Sequence, residues 1–133
     1  MIRIAVCDDE NVIVNQIEHI ISEVCKRESI PVNIDVFYSG RELKRQVTSG
    51  TKYDIIFLDI QMKGGDGITA AENIRKVDDN VLLIYVSGYD KYMMELFRLD
   101  VFGFIKKPID EEILTKTFLE TYQSCLLYTS PSP

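Results

Sequence analysis

The chain has 133 residues, 46% of them hydrophobic, which suits one domain with one core and is too apolar for a disordered chain. Its 15 basic and 21 acidic residues leave a formal charge of -6, which argues against a nucleic-acid-binding surface on this segment. No run approaches membrane-spanning length and MIRIAVCDDE lacks the plan of a secretion signal, so no membrane is expected and the expected location is the cytoplasm. Cys7, Cys25 and Cys125 show neither metal spacing nor a disulfide framework, and read as reduced, buried thiols.

Ile2–Cys7 reads as a first strand, closed by Asp8, Asp9 and Glu10. Ile13, Ile17, Ile20, Ile21 and Val24 fall at helical spacing and predict an amphipathic helix with Asp9 as N-cap, broken by Ser29 and Pro31. Val32–Tyr38 alternates enough for a second strand near a sheet edge. Ser39 and Glu42 stand at capping-box spacing and open a second helix with thin apolar content, Leu43 and Val47, ended by Gly50. Ile55, Ile56, Phe57 and Leu58 form an unbroken apolar run, the mark of a strand buried on both faces, and it stops at Asp59.

Past Asp59 come Gln61, Met62, Lys63 and a turn made of Gly64, Gly65, Asp66 and Gly67. These glycines resemble a phosphate loop only loosely, because the Walker spacing and its Lys-Ser/Thr end are absent. Asp66 can cap a third helix carrying Ile68, Ala71 and Ile74. Val81–Val86 is an apolar fourth strand ending at Ser87-Gly88, and Tyr89–Arg98 carries short-range signals for a fourth helix. Val101–Ile105 predicts a fifth strand that runs into Lys106, Lys107 and Pro108. Asp110 caps a last helix with Leu114, Phe118, Tyr122 and Cys125 on one face. His19 reads as a surface or boundary residue. The closing LLYTSPSP holds two prolines and cannot continue the helix. The domain is therefore set at residues 1–125, and 126–133 is read as a flexible or artificially appended tail.

Strand and helix alternate five times. That plan implies right-handed crossovers and a parallel sheet with helices on both faces, a flavodoxin-like (βα)5 three-layer α/β sandwich with strand order 2-1-3-4-5. In such a sheet all carboxyl ends lie on one edge, so Asp8, Asp9, Asp59, Ser87 and Lys107 are expected in one shallow pocket. Two charges about 4 Å apart cost on the order of 4 kcal/mol at an effective dielectric of about 20. Lys107 offsets part of that, and a hard divalent cation, best magnesium, offsets the rest and accepts phosphate oxygens. A carboxylate nucleophile in that setting can form an aspartyl-phosphate, with Ser87 donating to a phosphoryl oxygen. Singly, the acids read as caps or turn residues, Ser87-Gly88 as a turn and Lys107-Pro108 as a solvated loop. Their convergence on neighbouring strand ends favours the chemical reading.

Together these residues resemble the receiver domain of bacterial two-component response regulators. The resemblance runs from about Ile2 to Ser124. It rests on Asp8-Asp9, on LDIQM around Asp59 with Asp66-Gly67 beyond, on VSG at Ser87, and on Gly103-Phe104 before Lys107-Pro108. FLDIQM, GDGI, AAENIR and GFIKKPI look most like receivers attached to LytTR-type DNA-binding domains. The resemblance implies a signalling switch and not a turnover enzyme, one that catalyses only its own phosphorylation and dephosphorylation. It implies that Asp59 takes a phosphoryl group from a phosphohistidine on a sensor histidine kinase. It implies that Asp9, Asp59 and the backbone carbonyl of Gln61 hold Mg2+, with Asp8 acting through water, and that Ser87 and Lys107 grip the phosphoryl group.

Phe104 falls at the family's switch aromatic, which moves with the hydroxyl of Ser87. The predicted fourth helix, fifth strand and last helix form the family's usual dimer or output face, here including Tyr92, Met93 and Met94. The implied output is transcription through a DNA-binding domain absent from this chain. Lys63 stands where many receivers have proline, Ser87 replaces the commoner threonine, and Phe104 lacks the usual tyrosine hydroxyl. The resemblance implies that Gln61 and Tyr89 occupy positions that tune hydrolysis in the family.

Three other readings fit less well. A haloacid-dehalogenase-type phosphohydrolase places its nucleophile after the first strand in a DxD pattern, where this chain has Asp8-Asp9-Glu10 and no room for a cap domain. A flavin-binding module needs a phosphate loop at that place, where two carboxylates repel phosphate. A degenerate receiver used only for protein contacts would lack some of the five chemical positions, and all five are occupied.

Overall fold

Three strands supply the centre of the molecule: β1 (Ile2–Cys7), β3 (Ile55–Asp59) and β6 (Leu82–Ser87), apolar along almost their whole length and buried on both faces. The computed structural model describes residues 1–62, 65–88 and 101–129. Strands β2 (Val32–Phe37) and β7 (Gly103–Lys106) are only partly buried and form the edges. All neighbours in this five-stranded sheet run parallel. A separate two-stranded antiparallel ladder, β4 (Gln61–Met62) with β5 (Gly65–Asp66), lies between β3 and β6 in sequence. Counting every strand, the order is β2-β1-β3-β6-β7. The five strands of the main sheet taken alone follow the expected 2-1-3-4-5 pattern. The ladder was not anticipated, since two-residue strands carry no periodic signal.

Strand side chains alternate between faces, and the core divides accordingly. Ile4, Val6, Phe57, Ile84 and Val86 pack with Val14, Ile17 and Ile21 of α1 (Asn11–Arg27) and with Leu114 and Phe118 of the C-terminal helix (Glu111–Thr129). Ala5, Cys7, Ile56, Leu58, Leu83 and Tyr85 pack with Leu43 and Val47 of α2 (Gly40–Thr48) and with Ile68, Ala71 and Ile74 of α3 (Gly67–Val77). The result is the three-layer sandwich expected. Edge strand β2 is tied inward by Asp35, which accepts from the Tyr53 hydroxyl at 2.7 Å and pairs with Arg3 at 3.7 Å. His19 is exposed, and the three cysteines are free and buried.

Two helix ends differ from expectation. Helix α1 has Glu10, not Asp9, at its N-cap, with no side-chain cap bond. The Asp8 carboxylate takes the Glu10 N–H at 2.9 Å, so the chain makes a turn before the helix begins. The C-terminal helix runs to Thr129, past the expected end at Cys125. Leu126 and Leu127 are good helix formers, and the first proline comes only at Pro131. The predicted helix at Tyr89–Arg98, with Tyr92, Met93 and Met94, lies outside the described residues, as do Lys63, Gly64 and Ser130–Pro133. Among the described residues no helix is long and apolar enough to cross a membrane.

The cap of α2 is as expected: Ser39 Oγ accepts the Glu42 N–H at 3.2 Å. We expect Ser39→Ala to cost about 1 kcal/mol, the usual value of an N-cap, in urea denaturation.

Candidate functional site

Strand register builds the site. Cys7 stands opposite Leu58 and Asp59 opposite Val86, so Asp8, Asp59 and Ser87 succeed one another at the carboxyl edge. Ser87 in turn faces Lys106, and the Lys107 N–H donates to the Ser87 carbonyl at 2.8 Å. Each expected residue is therefore delivered by a strand end and not by a mobile loop.

Asp8 and Asp59 are almost fully buried, at 1% and 2% exposure, and Asp9 is half-buried. The three carboxylates place one oxygen each within 4.8 Å of one another. Lys107, reaching in from the end of β7, sets its ammonium 3.0 Å from Asp8 Oδ2 and 3.6 Å from Asp59 Oδ2. The Gln61 N–H donates to Asp59 Oδ1 at 2.9 Å, so both oxygens of Asp59 are engaged. Ser87 is buried beside this cluster. Phe104 is half-buried on β7, opposite Tyr85 and against the core on the α2–α3 side.

Burial dominates the electrostatics. It pushes Asp59 up to about 6; the Gln61 N–H pulls down, the charge of Asp8 pushes up, Lys107 pulls down and Asp9 pushes up. Asp8 is also raised by burial, against the Glu10 N–H and Lys107, which pull it down. Burial lowers Lys107, but the hydrogen bond to Asp8 and the charges of Asp59 and Asp8 outweigh it and hold the ammonium charged. The Lys107 ammonium pairs with two of the three carboxylates, Asp8 and Asp59. An all-oxygen donor set of this size fits a hard divalent cation, and among the described residues it is the one such cluster.

One functional residue was missed in the sequence. Gly67, assigned above to a turn, opens α3 directly against the backbone of Asp59. A Cβ there would overlap the Asp59 carbonyl oxygen and come within 2.5 Å of Ile60 Cα. Only glycine lets the helix start approach the acid so closely. The signal was available, a glycine at a loop-to-helix junction eight residues past the acid, but nothing in the sequence says which backbone it meets.

The profile of the response regulator receiver domain family matches residues 4–119. Among curated relatives, the sensory transduction protein LytT of Bacillus anthracis is 28% identical over 117 residues, covering 88% of this chain and 46% of that protein. The transcriptional regulatory protein YpdB of Escherichia coli K12 is 24% identical over 113 residues, 85% of this chain and 44% of that protein. The chain thus spans about half the length of the curated relatives it matches. Among solved structures, the response regulatory domain of mrkE from Klebsiella pneumoniae superimposes with a TM-score of 0.84 at 20% identity, over 95% of this chain and 99% of that one. Its architecture is the flavodoxin-like fold described above.

Two predictions follow from the geometry. Because Asp59 is protonated more readily folded than unfolded, the folded chain binds more protons between about pH 4 and about 6. Without divalent metal, stability falls as pH rises through that window. Asp59→Asn removes this cost, on the order of 2–3 kcal/mol above pH 7, and flattens the profile in urea denaturation in EDTA. Gly67→Ala destabilises by about 1–3 kcal/mol or more in the same assay, since its Cβ meets backbone that cannot swing aside.

Proposed function

The chain belongs to the response regulator receiver domain family, and from that premise we propose that it is a phosphorylation switch whose acceptor is Asp59. Response regulators are phosphorylated by sensor histidine kinases, and the kinase is the phosphoryl donor in this reading. The observation that carries it is the buried Asp59 carboxylate held between the Gln61 N–H and the Lys107 ammonium, beside two further acids.

In the reaction an Asp59 oxygen attacks the phosphorus of the kinase phosphohistidine. The P–N bond breaks, its electron pair stays on the imidazole, which takes up a proton, and an acyl phosphate forms on Asp59. Lys107 leaves its two carboxylates to pair with the phosphoryl oxygens. The Ser87 hydroxyl donates to another of them. Mg2+ would be held by Asp8, Asp9, Asp59 and the Gln61 backbone carbonyl. Its contribution is to neutralise charge on the transferring oxygens. The product is hydrolysed by water at the same site, so the domain resets itself. Recruitment of Ser87 toward the phosphoryl group opens space beside β7 into which Phe104 turns, changing the surface a partner meets.

The rest of the proposal concerns the longer protein. The acceptor domain is residues 1–125, extended by the last helix to Thr129. A LytTR-type DNA-binding domain follows it, the output is transcription, and the protein works in the cytoplasm. The overlap with LytT and YpdB supports this, since both proteins are about twice as long as the matched segment. Phosphorylation drives homodimerisation through the face of β7, the C-terminal helix and the segment at 89–98.

The test is intact mass after incubation with acetyl phosphate. One phosphoryl adduct is expected with Mg2+, and none in EDTA or in Asp59→Asn. An unmodified wild-type chain under these conditions, or an adduct surviving in Asp59→Asn, would sink the assignment.

A further inference from the structure

Cys7 ends β1 one residue before Asp8 and stands across the ladder from Leu58, one residue before Asp59. Its side chain enters the core on the α2–α3 side and is 1% exposed. There the thiol donates to the carbonyl of Ser39, 3.4 Å away, and its sulfur lies 3.7 Å from Met62 Sδ. Ser39 caps α2. Met62 is buried and directly follows Gln61, whose N–H holds Asp59 Oδ1. One sulfur atom therefore joins the strand carrying Asp8, the start of α2 and the segment that orients Asp59.

We propose that Cys7 is a positioning residue for the acceptor site: its sulfur, seated between the Ser39 carbonyl and Met62, holds the Asp59–Met62 segment so that the Gln61 N–H meets Asp59. The proposal rests on the reading of Asp59 given above. Alanine or valine would satisfy the apolar surroundings, but neither offers a donor to Ser39 or a polarizable contact to a thioether. Such supporting contacts matter because a site loosened by a fraction of an ångström loses its ligand geometry.

The experiment compares Cys7→Ala, Met62→Leu, the double variant and Val47→Ala. Val47 lies in the same core at the far end of α2 and controls for lost volume. Two quantities are read: exchange of the Gln61 amide by NMR in the metal-free chain, and Mg2+ affinity by calorimetry. Cys7→Ala is expected to speed Gln61 exchange and to weaken Mg2+ binding about ten-fold, within the range of outer-shell partners. Val47→Ala should leave both within about two-fold, and the Cys7 and Met62 effects should be non-additive. Should Cys7→Ala not fold, Met62→Leu conserves volume and carries the same two readings. Wild-type Gln61 protection in a folded Cys7→Ala or Met62→Leu chain, with the wild type binding Mg2+ normally, overturns the role of Cys7 alone. A wild type that neither binds Mg2+ nor takes a phosphoryl group overturns the acceptor reading itself.

Discussion

Three carboxylates held at one end of a sheet, two of them buried and paired with the Lys107 ammonium, are the constraint on which this structure depends. Buried like charges repel strongly because little water screens them. A protein keeps such an arrangement only if the surrounding backbone leaves the groups no other place to go. Here the backbone does so through strand register. Asp8 and Asp59 are each the next residue after a paired position, Cys7 with Leu58, and cannot separate without breaking the ladder between β1 and β3.

The same constraint explains the polar detail around the site. Each buried acid has one oxygen satisfied by a backbone N–H two residues on, Glu10 for Asp8 and Gln61 for Asp59. The other oxygen of each faces Lys107. These local turns fix the carboxylates in orientation as well as in place. They also leave one oxygen of each acid within 4.8 Å of the others, with the Lys107 ammonium against two of the acids. A switch needs this arrangement. A site at ease in its resting state would gain nothing from a new ligand, whereas one with clustered carboxylates responds strongly to a cation or to a modified acid.

Packing then connects the site to the remainder of the fold. Gly67 lets α3 begin against the backbone of Asp59, and Lys107 is tied by its own N–H to the carbonyl of Ser87. Movement of the acid segment is thus felt by α3, and movement of Ser87 by β7, where Phe104 sits against the core. Chemical and surface elements share the same short stretches of backbone, so a local charge change has few directions in which to relax.

Much of this was legible in the chain itself. The apolar runs at Ile55–Leu58 and Val81–Val86 announced buried parallel strands, because a strand covered on both faces has no polar positions to offer. The acids, Ser87 and Lys107 were visible as residues standing where those runs stop. Ser39 and Glu42 showed their cap by spacing alone. What the chain could not show was decided by contacts between distant segments. The start of α1, with its N-cap at Glu10, follows a turn in which Asp8 takes the Glu10 N–H, which residue type alone does not reveal. The last helix continues through Leu126 and Leu127 to Thr129, past the change in composition. The β4–β5 ladder is too short to carry a period. The role of Gly67 depends on a backbone eight residues away, and that of Cys7 on Ser39 and Met62, 32 and 55 positions distant. Residue type and spacing report what a local segment prefers, whereas close approach exists only once the layers have packed.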